Sequence, residues 1–454
     1  MFEPVIGLRR RLFGPKTVMA IAVLYGVLLA VFGMLRHHNF WSGALDMGVY
    51  GQGEWLISHG HANSSIIGRN LFSDHVSALY AVLAVGYRLW SSVDLLIIVQ
   101  AVALACCVHP HVRLAKSNGF STGVGVGVAV FHAAFLSAAV FDFHTSVLAT
   151  PFLLWALVAV QEGRPRLALV MALVIVLCRA DLVVCVGALM VLASRGLRVR
   201  LAGVVVFAGM LLVLPAFLGG ATAWDIHYRT LGESPVDAVF HPWRAASVVF
   251  SWLSVKSVLL WVAPFALLPA LSPRRMAAAL VAGAPLLLST TSNLHQPWFH
   301  YGAIVEPFVF YAVLDPGIRR WMPVARVQLL VLVMSAATLC VASPLSTIAP
   351  PNHRLWNVVH ARSDADYQRI VHAIPPSAGV AAVDPFASHL VHRPHLYAWP
   401  SPFVDTRPLG PAPTADVQAR VSFVVVTNED EARARGFGFV EVVTRSGGYV
   451  VLRR

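Results

Sequence analysis

The segment Leu45-Asp46-Met47-Gly48-Val49-Tyr50-Gly51-Gln52-Gly53-Glu54-Trp55 sets a carboxylate among glycines and aromatics, just beyond a long apolar run. A carboxylate held there can take a proton from an attacking hydroxyl or help bind a divalent cation such as Mg or Mn, with Asp46, Glu54 and Asp74 as the acids available. Taken alone, Asp46 reads equally well as an ordinary solvated loop acid. Two further segments carry similar groups: Phe141-Asp142-Phe143-His144-Thr145 and Asn293-Leu294-His295-Gln296-Pro297-Trp298-Phe299-His300-Tyr301. Singly these are helix caps and interfacial aromatics. Three such segments on one face make a site.

Arg179 and Asp181 interrupt an apolar stretch at 167–194. Charges in such a stretch cost about 2.5–3.5 kcal/mol each on insertion scales, and persist where they pair, line a wet cavity or bind substrate. One reading is a mutual ion pair that caps two short helices. The other is an arginine whose planar fork grips a lipid-linked phosphate, a role for which Arg229 and Arg69 are weaker candidates. The His-x-His pairs His59/His61 and His109/His111 have a spacing that can share a metal, but two-ligand matches are common by chance. No P-loop, nucleophile elbow or His-Glu-x-x-His motif occurs, which argues against an ATP-driven pump.

These residues need elements to position them, and composition says which. Of 454 residues, 57% are hydrophobic and only 12% charged, against about 25% charged in soluble domains. Mean hydropathy is +0.69. So little charge cannot cover a water-facing surface, and most of the surface must meet lipid. The net charge of +12 does not indicate nucleic acid, because the basic residues fall in short clusters between apolar runs. All five cysteines lie inside apolar stretches, away from any oxidising compartment. The basic N-terminus and the run after it read as a retained first span.

Spans are expected near 17–35, 92–112, 119–140, 145–160, 201–218, 248–270, 277–290, 301–314 and 326–343, with 167–194 as two short helices meeting at Cys178-Arg179-Ala180-Asp181. Arginine and lysine clusters stay cytoplasmic. Those at 9–16, 113–116, 164–166, 195–200, 274–275 and 319–326 share one side only if residues 36–91 make no net crossing. Residues 74–90 then form an interfacial amphipathic helix. The expected fold is a mainly α, polytopic bundle of about eleven spans over 1–344, with the N-terminus inside and outer loops at 36–91 and 219–247. Residues 345–454 form a small extracytoplasmic α/β domain: helices at 363–373 and 384–392, strands at 378–383 and 421–427, and a hairpin of 438–443 and 449–453 around Ser446-Gly447-Gly448.

The order of these motifs resembles a known family. An Asp-x-Gly-x-x-x-Gln-x-x-Trp pattern (Asp46, Gly48, Gln52, Trp55) follows the first span; Asp74-His75, Phe141-Asp142-Phe143-His144 and Arg179-Ala180-Asp181 come after it. This is similar to a family of bacterial multi-pass membrane proteins grouped with the GT-C glycosyltransferases, over most of the chain. The resemblance implies seven core spans with large outer loops after the first and seventh. It implies transfer of a sugar, with inversion, from a polyprenyl-phosphate carrier to an extracytoplasmic glycan, lipid or protein. Asp46 matches the family's first-loop acid, the catalytic base or metal-binding group; His75, Asp142, His144 and Arg179 map to groups that hold the carrier phosphate. Gln52, Asp181, His300 and Arg229 complete the candidate binding set. One departure matters: many GT-C enzymes have two adjacent acids where Asp46 stands alone, with Glu54 eight residues on. The competing reading is a lipid or polysaccharide transporter without transferase activity. Transport favours midplane polar residues and repeated halves, and no repeat appears.

Overall fold

A computed structural model describes residues 14–74, 76–193, 222–360 and 364–454. The expected span at 201–218, the basic residues Arg195, Arg198 and Arg200, and His75 lie outside the described residues. The chain forms two compact units.

The first unit takes in residues up to 31, 99–141 and 145–354. It is built of apolar helices. Among the described residues four helices are long and apolar enough to cross a membrane: Pro15–His38, Val93–Ser117, Thr122–Val140 and Val324–Val341. A fifth crossing arises if Pro242–Val249 and Trp252–Phe265, bent by 55°, count as one. Helices Thr145–Gln161, Pro165–Cys178, Ala180–Met190 and Gly302–Val313 are apolar but shorter, so the higher count of about eleven requires these also to cross. Val23, Leu24, Val27, Leu329 and Val333 are exposed on the long helices, as lipid-facing side chains must be. The helix–helix contacts are close: a Cβ at Gly125 would lie 2.5 Å from the backbone of Val112, so only glycine lets 122–131 pack against 108–117.

The stretch 167–194 breaks as its charges suggest, into helices Pro165–Cys178 and Val183–Ala193 joined by a 3-10 turn at Ala180–Leu182. The expected span at 277–290 is instead two short helices, Pro273–Ala282 and Ala284–Leu287. Gly283 and Pro285 interrupt it, because proline cannot donate to the preceding turn.

The second unit joins residues 32–98, 142–144 and 355–454. A small hairpin pairs β1 (Asn63–Ser64) with β2 (Arg69–Asn70), and the helix Leu79–Leu89 occupies the segment expected to lie at the interface. Its sheet contains β3 (Val380–Ala382), β4 (Leu396–Ala398), β5 (Phe423–Thr427), β6 (Glu441–Ser446) and β7 (Tyr449–Arg453), in the order β4-β3-β5-β7-β6. β3 runs parallel to β4 and β5, while β7 is antiparallel to β5 and β6. Val424, Val426, Val450, Leu452 and Phe439 form its core, and Gly447 and Gly448 supply the left-handed turn between β6 and β7. The helix expected at 384–392 reduces to a 3-10 turn at Ala387–His389. β4 was not foreseen.

Gly379, which leads into β3, receives the amides of Ser422 and Phe423 on its carbonyl. A Cβ there would sit 1.8 Å from the carbonyl oxygen of Arg420. Gly379→Ala is therefore expected to cost about 1–3 kcal/mol through forced backbone movement, read as a lower thermal midpoint of the purified protein. An unchanged midpoint would show that the parallel edge of the sheet is slack.

Candidate active site

The helix Pro15–His38 ends on Arg36, His37 and His38. Phe40 then adopts a left-handed conformation, with φ of 61°. Its amide bonds to the carbonyl of His37, and the amide of Trp41 bonds to that of Arg36, the reversal that closes many helix C-termini. Glycine usually takes this position; a larger residue there costs of order 1–3 kcal/mol. Packing offsets that cost. The buried Phe40 ring stacks on His389 at 3.9 Å, and His389 stacks on His37 at 4.3 Å with planes 9° apart. Burial holds the His389 imidazole well below its ordinary pKa, so this stack is assembled from an uncharged ring.

That sharp turn aims Arg36 at Asp142. The guanidinium Nε donates to Asp142 Oδ1 at 3.2 Å, with side chains 4% and 1% exposed. The chain next makes a π-helical turn at Ala44–Gly48, a form frequent at functional sites. Its first amides meet carboxylates: Gly43 N–H donates to Asp142 Oδ2 at 2.8 Å, and Ala44 N–H to Asp384 Oδ1 at 2.6 Å. Asp46 projects from the middle of the turn and meets His144, with Nε2 and Oδ1 3.2 Å apart. His144 Nδ1 lies 3.0 Å from the carbonyl oxygen of Asp142. Both ring nitrogens thus face oxygens, which fixes the plane of the ring against Asp46. Tyr50 and Phe143 wall this edge, the Tyr50 ring meeting that of His144 at 5.4 Å.

Exposure separates the roles. Asp142 and His144 are buried, whereas the Asp46 side chain is 36% exposed. Of these acid and imidazole groups Asp46 and Asp384 are the ones open to an incoming molecule. Desolvation by the protein packed around Asp384 raises its carboxyl pKa; the charges of Asp142 and Asp46 push it further up, while the Ala44 amide and Arg36 oppose. Three acids, an imidazole and a guanidinium therefore converge from chain positions as far apart as 36 and 384.

The remaining sequence candidates occupy other settings. Gln52 is buried and structural: its amide donates to Ser65 Oγ at 2.7 Å and to the Arg393 carbonyl at 3.2 Å, and it accepts from Ser64. Asp74 pairs with Arg69. In the first unit, Arg179 and Asp181 form a bidentate pair with two contacts of 2.6 Å. His300 is buried and its ring stacks with Phe141 and Tyr301; Arg229 is exposed on a 3-10 turn. The His-x-His pairs diverge: His59 bonds the carbonyl of Trp55 and His61 faces solvent, while His111 is buried on Glu306 and His109 is exposed. Among the described residues no three acid, imidazole or thiol groups gather to hold a metal. Asp46, Glu54 and Asp74 therefore do not make one ligand set.

Residues 36–426 match the family described as "Predicted membrane protein (DUF2079)". The chain belongs to that family. No curated protein matches the sequence. ArnT from Cupriavidus metallidurans bound to undecaprenyl phosphate is similar in fold, with TM-score 0.53 at 13% identity over 95% of this chain and 97% of that one. Its apo state gives 0.50 at 15% identity over the same shares. The apo oligosaccharyltransferase of Archaeoglobus fulgidus gives 0.48 at 10% identity, covering 94% of this chain and 71% of that one. The fold of this DUF2079 protein thus resembles that of GT-C membrane proteins such as ArnT.

Two members of the DUF2079 site were not found from sequence. A basic residue in the last turn of a span, as Arg36 is, looks like an interface anchor, and Asp384 lies in a segment that reads as self-contained. For Asp384 a signal existed: it stands two residues beyond β3, a parallel strand, and the carboxyl ends of parallel strands are where such sheets place their sites.

Glu54 makes a separate prediction. It is fully buried in helix Val49–Ser58, and neither carboxyl oxygen has a hydrogen-bond partner. Burial pushes its pKa up to about 9 from 4.5. The folded state thus holds a proton that the unfolded chain releases above pH 4.5. Stability from this group is fullest below that pH and declines as pH rises towards 9. Glu54→Gln abolishes this dependence and is expected to stabilise the protein at pH 7 by about 3 kcal/mol. Thermal midpoints of both forms at pH 5 and pH 8 check it: equal slopes with pH would overturn the assignment.

Proposed function

We propose that this protein transfers a sugar from a polyprenyl-phosphate carrier to a hydroxyl-bearing glycan, lipid or protein outside the cytoplasm, inverting the anomeric centre. The chain would cross the bacterial plasma membrane about eleven times, with the N-terminus inside and the C-terminal domain outside. The observation that carries the reading is the exposed Asp46 carboxylate, held on a π-helical turn against His144 and framed by Asp142 and Asp384. The fold it shares with ArnT, a protein seen with undecaprenyl phosphate bound, supports a lipid-linked donor.

In this mechanism Asp46 takes the proton from the acceptor hydroxyl, and its contact with His144 orients the carboxylate. The acceptor oxygen bonds to the anomeric carbon as the bond to the carrier phosphate breaks on the opposite face. Polyprenyl phosphate departs with the bonding pair, and preorganised donors stabilise its charge.

The test is release of polyprenyl phosphate by purified protein in liposomes. The donors are polyprenyl-phosphate hexoses and pentoses, with lipid and glycan acceptors. Protein-dependent release with an inverted product supports the reading; turnover of none of them counts against it.

A further inference from the structure

Within the first unit a small, partly open cleft of about 50 Å³ is lined by Leu260, Trp261, Leu294, His295, His132 and Glu306, among others. Its walls come from apolar segments, including the candidate span Thr122–Val140. The polar groups there divide sharply. His295 is satisfied at both ring nitrogens, by Ser257 at 2.7 Å and the Ser289 carbonyl at 2.8 Å. His132 Nε2 and Glu306 Oε2 are buried and have no hydrogen-bond partner. Both residues are nearly inaccessible, 5% and 2% exposed, and they lie within electrostatic reach of each other. An intramembrane acid and imidazole left in that condition mark a binding site before they mark packing.

The hydrogen-bond chemistry of the two atoms is determined by their neighbours. The Ala134 amide donates to His132 Nδ1 at 3.3 Å. Nδ1 is therefore an acceptor, and the ring proton is on Nε2, a donor. His111 Nδ1 lies 2.7 Å from the Cys107 carbonyl, and its Nε2 lies 2.9 Å from Glu306 Oε1. Whichever of His111 and Glu306 holds the proton between them, Glu306 Oε2 is left as an acceptor. These two buried atoms offer one donor and one acceptor; the rest of the lining is apolar apart from His295, Ser257, Gln296 and Thr338, and it contains no Arg or Lys.

We infer that this cleft binds the head of a neutral, hydroxyl-bearing amphiphile, the class represented by long-chain alcohols and acylglycerols. A hydroxyl donates to Glu306 Oε2 and accepts from His132 Nε2–H, while the alkyl stem lies along Leu260, Trp261 and Leu294. A phosphate head is disfavoured: the lining supplies no Arg or Lys to meet it, and the Lys256 ammonium beside the cleft donates to Gln296 at 3.5 Å. The site is thus chemically unlike one for a carrier phosphate, and stands whether or not the protein transfers sugar.

Photo-crosslinking in nanodiscs tests it, with a diazirine-bearing dodecanol, its methyl ether and the corresponding dodecyl phosphate. The alcohol should label peptides carrying Trp261 and Gln296, and unlabelled 1-dodecanol should compete. The ether cannot donate to Glu306, so its labelling should be weaker by at least about tenfold, as should that of the phosphate. His132→Phe and Glu306→Leu should each reduce alcohol labelling to the ether level; if either variant misfolds, the three probes on wild-type protein still decide. Equal labelling by alcohol and ether, stronger labelling by phosphate, or no labelling at the cleft would overturn the inference. Sugar transfer is not part of the readout, so its absence leaves this result interpretable.

Discussion

Asp46→Asn is expected to reduce sugar transfer by about 10²- to 10⁴-fold, the range supplied by a positioned general base. The amide keeps the shape of the carboxylate and can still meet His144, but it cannot take the proton. Folding should be untouched, because the Asp46 side chain is 36% exposed and neither its backbone turn nor the Gly43 and Ala44 contacts depend on it. Amount of protein in the membrane and thermal midpoint should match wild type. Asp46→Glu should recover part of the activity, since a longer acid retains the function in a displaced position. The informative comparison is pH: if Asp46 is the base, the asparagine variant loses the acidic limb of the rate profile along with the rate. Turnover within about threefold of wild type would remove Asp46 from the chemistry, and with it the proposed mechanism.

What could be read in the sequence follows from what each signal is made of. Asp46, Asp142 and His144 were found because polar groups at the ends of apolar runs are conspicuous, and the structure brings these three together. The break at 178–181 was legible for the same reason. Arg36 is different: a basic residue in the last turn of a span is what an interface anchor looks like, and only the left-handed Phe40 reveals that it is directed inward. Asp384 lies 340 positions from its partner Ala44. No periodicity relates residues so far apart, and the composition shift near residue 345 makes the C-terminal segment look self-contained. In the structure residues 355–454 belong to the same unit as 32–98 and 142–144. Gln52, prominent in the motif, supports the loop rather than the acid cluster, because its burial can be known only from the fold. Spans failed to match where glycine and proline cut apolar runs, as at Gly283 and Pro285. Hydropathy averages over such breaks.

The largest expected effect on stability is at Asp142. Asp142→Ala is expected to destabilise the protein by about 3–5 kcal/mol, the cost of removing one member of a buried ion pair. The carboxylate accepts from Arg36 and from the Gly43 amide; alanine takes this acceptor from both, and the loss of its carboxylate is the more expensive for a buried guanidinium. Asp142→Asn should cost less, because its carbonyl still serves Gly43 while the charge complement is gone. Arg36→Met combined with Asp142→Leu should recover much of the stability lost by Asp142→Ala, since two apolar side chains need no pairing. Activity should not recover in the double variant, because the amides that Asp142 and Asp384 hold begin the turn that carries Asp46. Thermal unfolding of the three variants, treated as a double-mutant cycle, separates these contributions. A loss below about 1 kcal/mol for Asp142→Ala would place the pair with exposed salt bridges. Arg36 would then be solvated rather than locked, and the acid cluster would lack the rigid frame on which its chemistry depends.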